Sequence, residues 1–344
     1  MSSTSKTLKV DDWVSTDSSQ ISWTVNLKKD IARGVTHSYQ GNTLTTGVYR
    51  PFNKQKLYFD KPFIERPGIS QKLFPTPNHE NLLIAVTGPG SSKPFTALMT
   101  DQITGLDTIE KAQCLPLYYY EKAERNAPSL FDGDSKDEYV RHDGISDFIV
   151  KQTHARYHNS DITKEDIFYY VYGVLHSPEY QREFANDLKK TLPRLPLVEQ
   201  ADDFWAFSKA GRELAKLHIG YENIAPYEGA RVSGTQHNNY HVDKLRFASK
   251  NDKTKILYNA QITIENIPGQ AYEYIVNGKS AIEWILDRYQ VKTDKASGIV
   301  NDPNDWAKET GNPRYILDLL LSVINVSVQT VDIVNNLPKI EFGK

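Results

Sequence analysis

The chain has 344 residues, enough for two domains or one large one, and its formal net charge of −2 excludes a uniformly basic nucleic-acid binder. A single cysteine, Cys114, excludes an internal disulfide and a cysteine-rich zinc site. The N-terminus lacks the apolar run of a signal peptide and no stretch reads as the roughly 18 consecutive apolar residues of a membrane span, so a soluble cytoplasmic protein is expected.

Residues 1–20 are rich in Ser, Thr, Lys and Asp and are expected to form a flexible lead-in. Residues 21–160 read as a β-rich lobe, with short strands at Ile21-Ser22-Trp23, Thr46-Gly47-Val48-Tyr49, Lys56-Leu57-Tyr58-Phe59 and Leu82-Leu83-Ile84-Ala85-Val86, punctuated by Pro and Gly. The glycine-rich run Val86 to Lys93 follows a strand, but its spacing fits neither phosphate-loop fingerprint. It reads as a strand-ending turn, with an anion-contacting nest for a DNA phosphate as the alternative. Residues 121–147 look loop-like. Between 101 and 148 there are 5 basic against 11 acidic side chains, a solvated surface to which no chemistry is assigned. Asp134-Ser135-Lys136 there matches one piece of a nuclease metal site, without a partner carboxylate.

Residues 161–225 form a helical block. Thr163 caps a first helix with Asp166 at its third position, and Ile167, Tyr170, Val171 and Val174 recur at helical spacing. Ser177-Pro178 stops that helix and opens a second from Glu179 to about Thr191, and a third runs from about Asp202 through Leu217. Residues 226–344 read as a second α+β lobe, with strands returning from Val242 and a clear one at Ile262-Thr263-Ile264. Asn277-Gly278 makes a turn, and Ser280 with Glu283 forms a capping box for a helix to about Tyr289. Ala281, Ile282, Trp284, Ile285 and Leu286 give that helix a wide apolar face. Asp302-Pro303-Asn304-Asp305 reads as a loop, and Pro313 opens a last helical stretch containing Leu317, Leu320 and Ile324. Strands, then helices, then a mixture predict an α+β fold with a mixed sheet, an inserted helical block and a C-terminal helical segment.

The sequence carries no Asn-Pro-Pro-Tyr loop, no glycine-rich turn for a methyl donor and no G-x-S-x-G elbow. His237 and His241, like His154 and His158, are four residues apart, but no HExxH pattern accompanies them and they read as loop or surface histidines. No catalytic centre and no metal site are therefore expected in this chain. What remains is placed charge. Residues 1–100 carry 12 basic and 7 acidic side chains, and Arg50, Lys54, Lys56, Lys61, Arg66 and Lys72 cluster among Tyr49, Phe52, Tyr58 and Phe59. Between 231 and 279 there are 7 basic against 4 acidic, with Lys244, Arg246, Lys250, Lys253 and Lys255 closely spaced. With Lys93 and Arg231 these are the candidate DNA contacts, and the alternative is a pair of ordinary solvated hairpins. In Lys244-Leu245-Arg246-Phe247, alternation puts the two cations on one face and the two apolar residues on the other. For Arg50, a structural ion pair beside the packed turn Pro51-Phe52 competes with DNA contact.

Several segments carry a family likeness. The run VNGKSAIEWILDRYQVKTDKASGIVNDPNDW closely resembles the C-terminal specificity region of type ISP restriction-modification enzymes. So do Tyr49-Arg50-Pro51-Phe52, Gln113-Cys114-Leu115-Pro116-Leu117-Tyr118, Asp166 to His176, and Gly311-Asn312-Pro313-Arg314-Tyr315-Ile316-Leu317, and the likeness runs from about residue 20 to the end. In that family a nuclease, a helicase-like ATPase, an adenine methyltransferase and a target-recognition region follow one another in a single bacterial chain. The resemblance implies sequence-specific recognition of duplex DNA without catalysis by this region. S-adenosylmethionine, ATP and Mg²⁺ would then be needed only by methyltransferase and helicase-nuclease domains absent here, which would be its partners. A scaffold that only braces the methyltransferase is the alternative.

Overall fold

A computed structural model describes residues 9–123 and 138–340. The Asp134-Ser135-Lys136 segment lies outside the described residues. Instead of the expected strand at Ile21-Ser22-Trp23, the chain opens with helix α1 (Val25–Ala32), started by the Thr24 hydroxyl accepting from the Leu27 amide. Two β-branched or aromatic residues flanking a serine make a strand only where a partner edge lies beside them, and none does among the described residues.

Strands β1 (Leu44–Arg50) and β2 (Asn53–Tyr58) form a hairpin whose turn is Pro51-Phe52. Phe52 holds a left-handed φ of 58° and is buried to 1% exposure. For a bulky residue that backbone is strained, and burial of the ring offsets it. Short helix α2 (Ser70–Leu73) leads to β3 (Leu83–Val86), β4 (Ala97–Thr100), β5 (Ile103–Thr104), β6 (Gln113–Pro116), β7 (Tyr118–Lys122) and β8 (Tyr139–Asp143). Strand β5 adds parallel to β1, β3 is central between β4 and β6, and β7 pairs with β8. All four residues of β3 and of β4 are buried, as expected of strands covered on both faces.

The stretch expected to be loop-like ends in order: β8 is followed by helix α3 (Asp147–Tyr157), capped by Ser146. Helix α4 (Lys164–Leu175) has the Thr163–Asp166 capping box read from the sequence. The second expected helix is broken at Phe184 into α5 (Pro178–Glu183) and α6 (Ala185–Leu188). Helix α7 (Ala201–Ile219) packs closely on α4, because a Cβ on Gly211 would stand 1.9 Å from the Tyr169 carbonyl oxygen and one on Gly173 2.2 Å from that of Phe207. The two glycines let the backbones touch.

Strands resume earlier than Val242, at β9 (Arg231–Ser233), followed by β10 (Arg246–Ser249), β11 (Asp252–Leu257) and β12 (Thr263–Glu265) in the order β10-β11-β12-β9. A two-strand hairpin, β13 (Ile275–Val276) and β14 (Lys279–Ser280), turns through Asn277-Gly278, both with positive φ. It feeds helix α8 (Ala281–Arg288), with the Ser280–Glu283 capping box in place. A second ribbon, β15 (Lys292–Thr293) with β16 (Val300–Asn301), follows. The expected loop at Asp302 is instead the start of helix α9 (Pro303–Glu309): Asp302 caps the Asn304 amide and Pro303 takes the first helical position, where a missing N–H costs nothing. Helix α10 (Tyr315–Asn335) is long and apolar enough to cross a membrane by length and composition, a run the sequence reading passed over, but 67% of its apolar window is buried inside the protein. The expected mixed sheet is thus divided into six small ones among the described residues, within the α+β class.

The cores cross the boundaries at residues 160 and 225. Phe52, Ala85, Leu98 and Ile109 pack with Tyr258, Ile264, Trp284, Leu320 and Ile324, so the β1–β2 turn is a plug in the second lobe. Ile84, Val86 and Met99 pack with Tyr170, Tyr172, Phe204 and Phe207 of the helical block. Polar contacts close the same seam. Lys54 pairs with Glu222 at 2.5 Å, Tyr315 donates to the other Glu222 oxygen at 2.6 Å, and Tyr289 donates to the Phe52 carbonyl at 3.1 Å. Behind them the Met99 amide donates to the Tyr172 hydroxyl at 2.8 Å, Tyr172 donates to His218 Nδ1 at 2.5 Å, and His218 Nε2 faces the Thr330 hydroxyl at 3.0 Å. Burial pushes His218 well below the ordinary histidine pKa and pushes His176, 5.6 Å from it ring to ring, down to about 4.

Candidate nucleic-acid interface

The first basic segment folds around a groove of about 480 Å³. Val48, Leu57, Phe59, Ile64 and Ile103 line it, and Arg50, Lys56 and Arg66 stand at its edge. Arg50 lies 4.2 Å over the Tyr49 ring and donates through Nη1 to the Tyr49 carbonyl at 2.8 Å, so the ion pair considered for it is replaced by stacking. Arg66 is exposed, on a left-handed turn residue. Lys56 is exposed and rests 5.2 Å over the Trp306 ring of α9. Lys61 is exposed beside these, in the Lys61–Phe63 turn. Two of the candidates are engaged by carboxylates. Lys54 is sunk in its pair with Glu222, each side chain less than a fifth exposed, and Lys72 pairs with Glu121 at 3.1 Å on the surface.

The second segment divides in the same way. Lys244, Arg246 and Lys250 are exposed with no carboxylate paired to them among the described residues, whereas exposed Arg231 stands opposite Glu265 in the β9–β12 register. The alternation read at 244–247 holds, with Leu245 buried and Phe247 half-buried. Lys253, expected to meet a phosphate, instead pairs with Glu283 at 2.9 Å over the Phe247 and Tyr272 rings, and Lys255 pairs with Glu265 at 2.7 Å. These two cations help to hold β11 against its neighbours.

The glycine-rich turn is also occupied. Glu110 accepts from the Ser91 and Ser92 hydroxyls at 2.9 Å and from the Ser92 and Lys93 amides at 3.2 Å, so the anion in this nest is the protein's own. The Ser91 bond first, then those of Ser92, hold the Glu110 carboxyl below its ordinary pKa. The nest offers no donors to a DNA phosphate, although the Lys93 side chain is exposed beside it. The paired histidines are structural in the same sense. The His154 ring bonds the Ile162 carbonyl at 2.8 Å, His158 ends α3 with φ 49°, His241 faces Asp243 at 3.3 Å, and His237 contacts Gln236 at 3.2 Å.

The two basic segments are brought together by a ribbon and a helix start that lie within the family-like run from Val276 to Trp306. The β15–β16 ribbon has both feet on Val242-Asp243, just before Lys244. The Val291 amide donates to the Asp243 carbonyl at 3.0 Å, and the Asn304 side chain exchanges two hydrogen bonds with Val242, at 2.8 and 2.9 Å. Two residues beyond Asn304, Trp306 carries Lys56. Lys244 and Arg246, the ribbon, Lys56 and the Arg50–Arg66 groove are therefore successive neighbours. Arg141, in the segment expected to be loop, was missed. It stacks 4.3 Å over Tyr118 at a polar hollow of about 680 Å³ lined by Thr45, Gln102 and Glu165.

Residues 2–319 match the Type ISP C-terminal specificity domain, and the chain belongs to that family. It is similar to the ATP-dependent Type ISP restriction-modification enzyme LlaBIII, solved bound to DNA, at 37% identity and a TM-score of 0.83 over 94% of this chain and 20% of that one. A nuclease-deletion mutant of the Type ISP enzyme LlaGI, in complex with a DNA substrate mimic, is 39% identical with a TM-score of 0.81 over 97% and 28% of the two chains. A DrdV–DNA complex is 30% identical with a TM-score of 0.80 over 96% and 31%. Each relative is thus more than three times as long as the part matched here. No curated protein sequence matches the chain.

Proposed function

We propose that this chain is a target-recognition region that lays its exposed cations against duplex DNA and reads base edges for a larger restriction-modification enzyme. The observation that carries the reading is the run of neighbouring, uncompensated cations from Arg66 and Arg50 through Lys56 to Lys244 and Arg246 on a chain whose net charge is −2. A protein of that overall charge attracts phosphate only where cations are grouped. The DNA-bound relatives support the reading. Methylation with S-adenosylmethionine and ATP- and Mg²⁺-dependent cleavage would belong to methyltransferase and helicase-nuclease partners, and this chain would bind DNA without any of these ligands.

The test is a salt-titrated binding assay of the purified chain with fluorescent duplexes. Binding that weakens as salt rises, with a logarithmic slope of about −0.9 for each phosphate contacted, supports the reading. Absence of duplex binding at low salt by the folded chain leaves it a brace for neighbouring domains.

A further inference from the structure

We infer that the β15–β16 ribbon enters the DNA major groove and that Thr293, Lys295 and Val300 determine which sequence is bound. The inference rests on the DNA-binding reading above and goes further by naming the element that reads.

The ribbon is built unlike the rest of the molecule. All four strand residues are exposed, and Ile299 and Val300 are 51% and 57% exposed, so no core burial explains their β-branched side chains. Yet the ribbon is held firmly. Both feet are bonded to Val242-Asp243, and Lys292 is tied to the Asp287 carbonyl and carboxylate at 2.8 Å each. The Ser18 hydroxyl reaches the Ala296 carbonyl at 3.0 Å. At the tip Asp294 accepts from the Ala296 and Ser297 amides at 3.1 and 2.8 Å, and Gly298 supplies the φ of +70° that closes the turn. A rigid projection with exposed apolar side chains fits a partner that is itself preformed.

Register and dimensions select that partner. Lys292 opposes Asn301, and Lys292 turns back to Asp287, so the pair Thr293–Val300 occupies the other face. Lys295 at the tip has no partner among the described residues, and Lys244 and Arg246 follow directly after the ribbon's footing. Strand β15 itself spans only Lys292–Thr293, about 7 Å at about 3.3 Å per residue, and the turn from Asp294 to Gly298 carries it on toward the major-groove depth of about 8.5 Å. Two strands about 4.8 Å apart with their side chains match a groove about 12 Å wide, whereas a minor groove of about 6 Å would have to be widened to admit them. A hydroxyl and a branched apolar side chain on the leading face suit base-edge hydrogen bonding and the thymine methyl, while the flanking cations suit the phosphates on either side.

The experiment selects preferred duplexes from a random library with the full chain and with the Thr293→Ala, Lys295→Ala and Val300→Ala variants. All three sites are solvent-facing, so each variant should melt within about 2 °C of the parent. The expected result is that Thr293→Ala and Val300→Ala bind random duplex as the parent does, within about twofold, but lose about 5- to 100-fold in preference for the parent's selected site. Lys295→Ala should in addition lower the salt slope by about one contact. The parent should also bind at least about tenfold more weakly to duplexes whose cytosines carry a bulky 5-glucosyloxymethyl group, which fills the major groove, and within about twofold as well to inosine-for-guanine duplexes, which lack the minor-groove amino group. Variants that keep the parent's preference, or the opposite ranking of the two modified duplexes, would overturn the ribbon's role while leaving DNA binding intact. A parent chain that binds no duplex, or all sequences alike, would overturn this inference through the target-recognition reading itself.

Discussion

The seam between the lobes and the cationic face differ in how they use polar groups. In the seam, Lys54, Glu222, His218, Tyr172 and Thr330 satisfy one another beneath the surface. On the face, Lys244, Arg246, Lys250 and Arg66 project into solvent. Residues of one chemical type, sometimes within ten positions of one another, thus serve opposite purposes. Lys253 holds β11 to α8 while Arg246, on the neighbouring strand, is left for a ligand. A count of basic residues cannot separate the two, but the position of each carboxylate can.

Substitutions should separate them, and the largest effect belongs to the interior. Trp284 is 6% exposed and donates its indole N–H to the Val276 carbonyl at 2.7 Å, so Trp284→Ala should cost about 3–5 kcal/mol of stability in a denaturant titration. An unchanged midpoint would mean that α8 does not pack on the core. Next is Lys54→Ala, which strands Glu222 in the seam. A loss of about 2–3 kcal/mol is expected, below the range for a fully buried pair because both ends keep some solvent, with the DNA salt slope unaltered. A changed slope with unchanged stability would move Lys54 to the other side of the comparison. For Arg246→Ala the pattern reverses. Melting should be unaffected, while affinity for a preferred duplex falls by about 1–3 kcal/mol and affinity for random duplex changes far less. Lys253→Ala should do less still, about 0.5 kcal/mol in stability and no full unit of salt slope, since its charge is partly compensated by Glu283.

The pH dependence sharpens the same contrast. His176, with a pKa of about 4, and His218, pushed by burial well below the ordinary value, stay neutral in the folded chain, whereas the unfolded chain protonates both near pH 6.5. The unfolded state therefore binds more protons below that value. Stability should fall as pH drops from about 6.5 toward 4, and His218→Gln should flatten that part of the melting profile.

Local signals were well legible in the sequence. The Thr163–Asp166 and Ser280–Glu283 capping boxes are present, as are the Asn277-Gly278 turn, the α4 periodicity and the alternation at 244–247. Each is decided within a few residues by hydrogen bonds or steric limits. The errors came where one local pattern serves two structures. Asp-Pro-Asn at 302–304 suits a turn or a helix start, and Asn304 bonding Val242 across the fold decides for the helix. Helix α3 begins where the acidic run ends and gave no apolar stripe, because only Thr153 of its residues is fully buried. The fate of each lysine was not legible, because its partner can be far away in sequence: Glu222 is 168 positions from Lys54 and Glu283 is 30 from Lys253. The ribbon lies within the family-like run, but its strands gave no hydrophobic pattern because they have no core to face.

The Phe52 plug has a consequence for synthesis. Its pocket is made by Tyr221 and Tyr274, at ring-centroid distances of 5.3 and 6.1 Å, within a core that also contains residues of α10 as late as Val331. Contacts of such sequence separation are slow to form and cannot begin until the distant segment has left the ribosome. At about 5–20 residues per second, the β1–β2 hairpin waits for many seconds with its aromatic tip uncovered. The nascent hairpin is thus the stretch most in need of chaperone protection, and a ribosome stall anywhere before α10 would leave it open to aggregation.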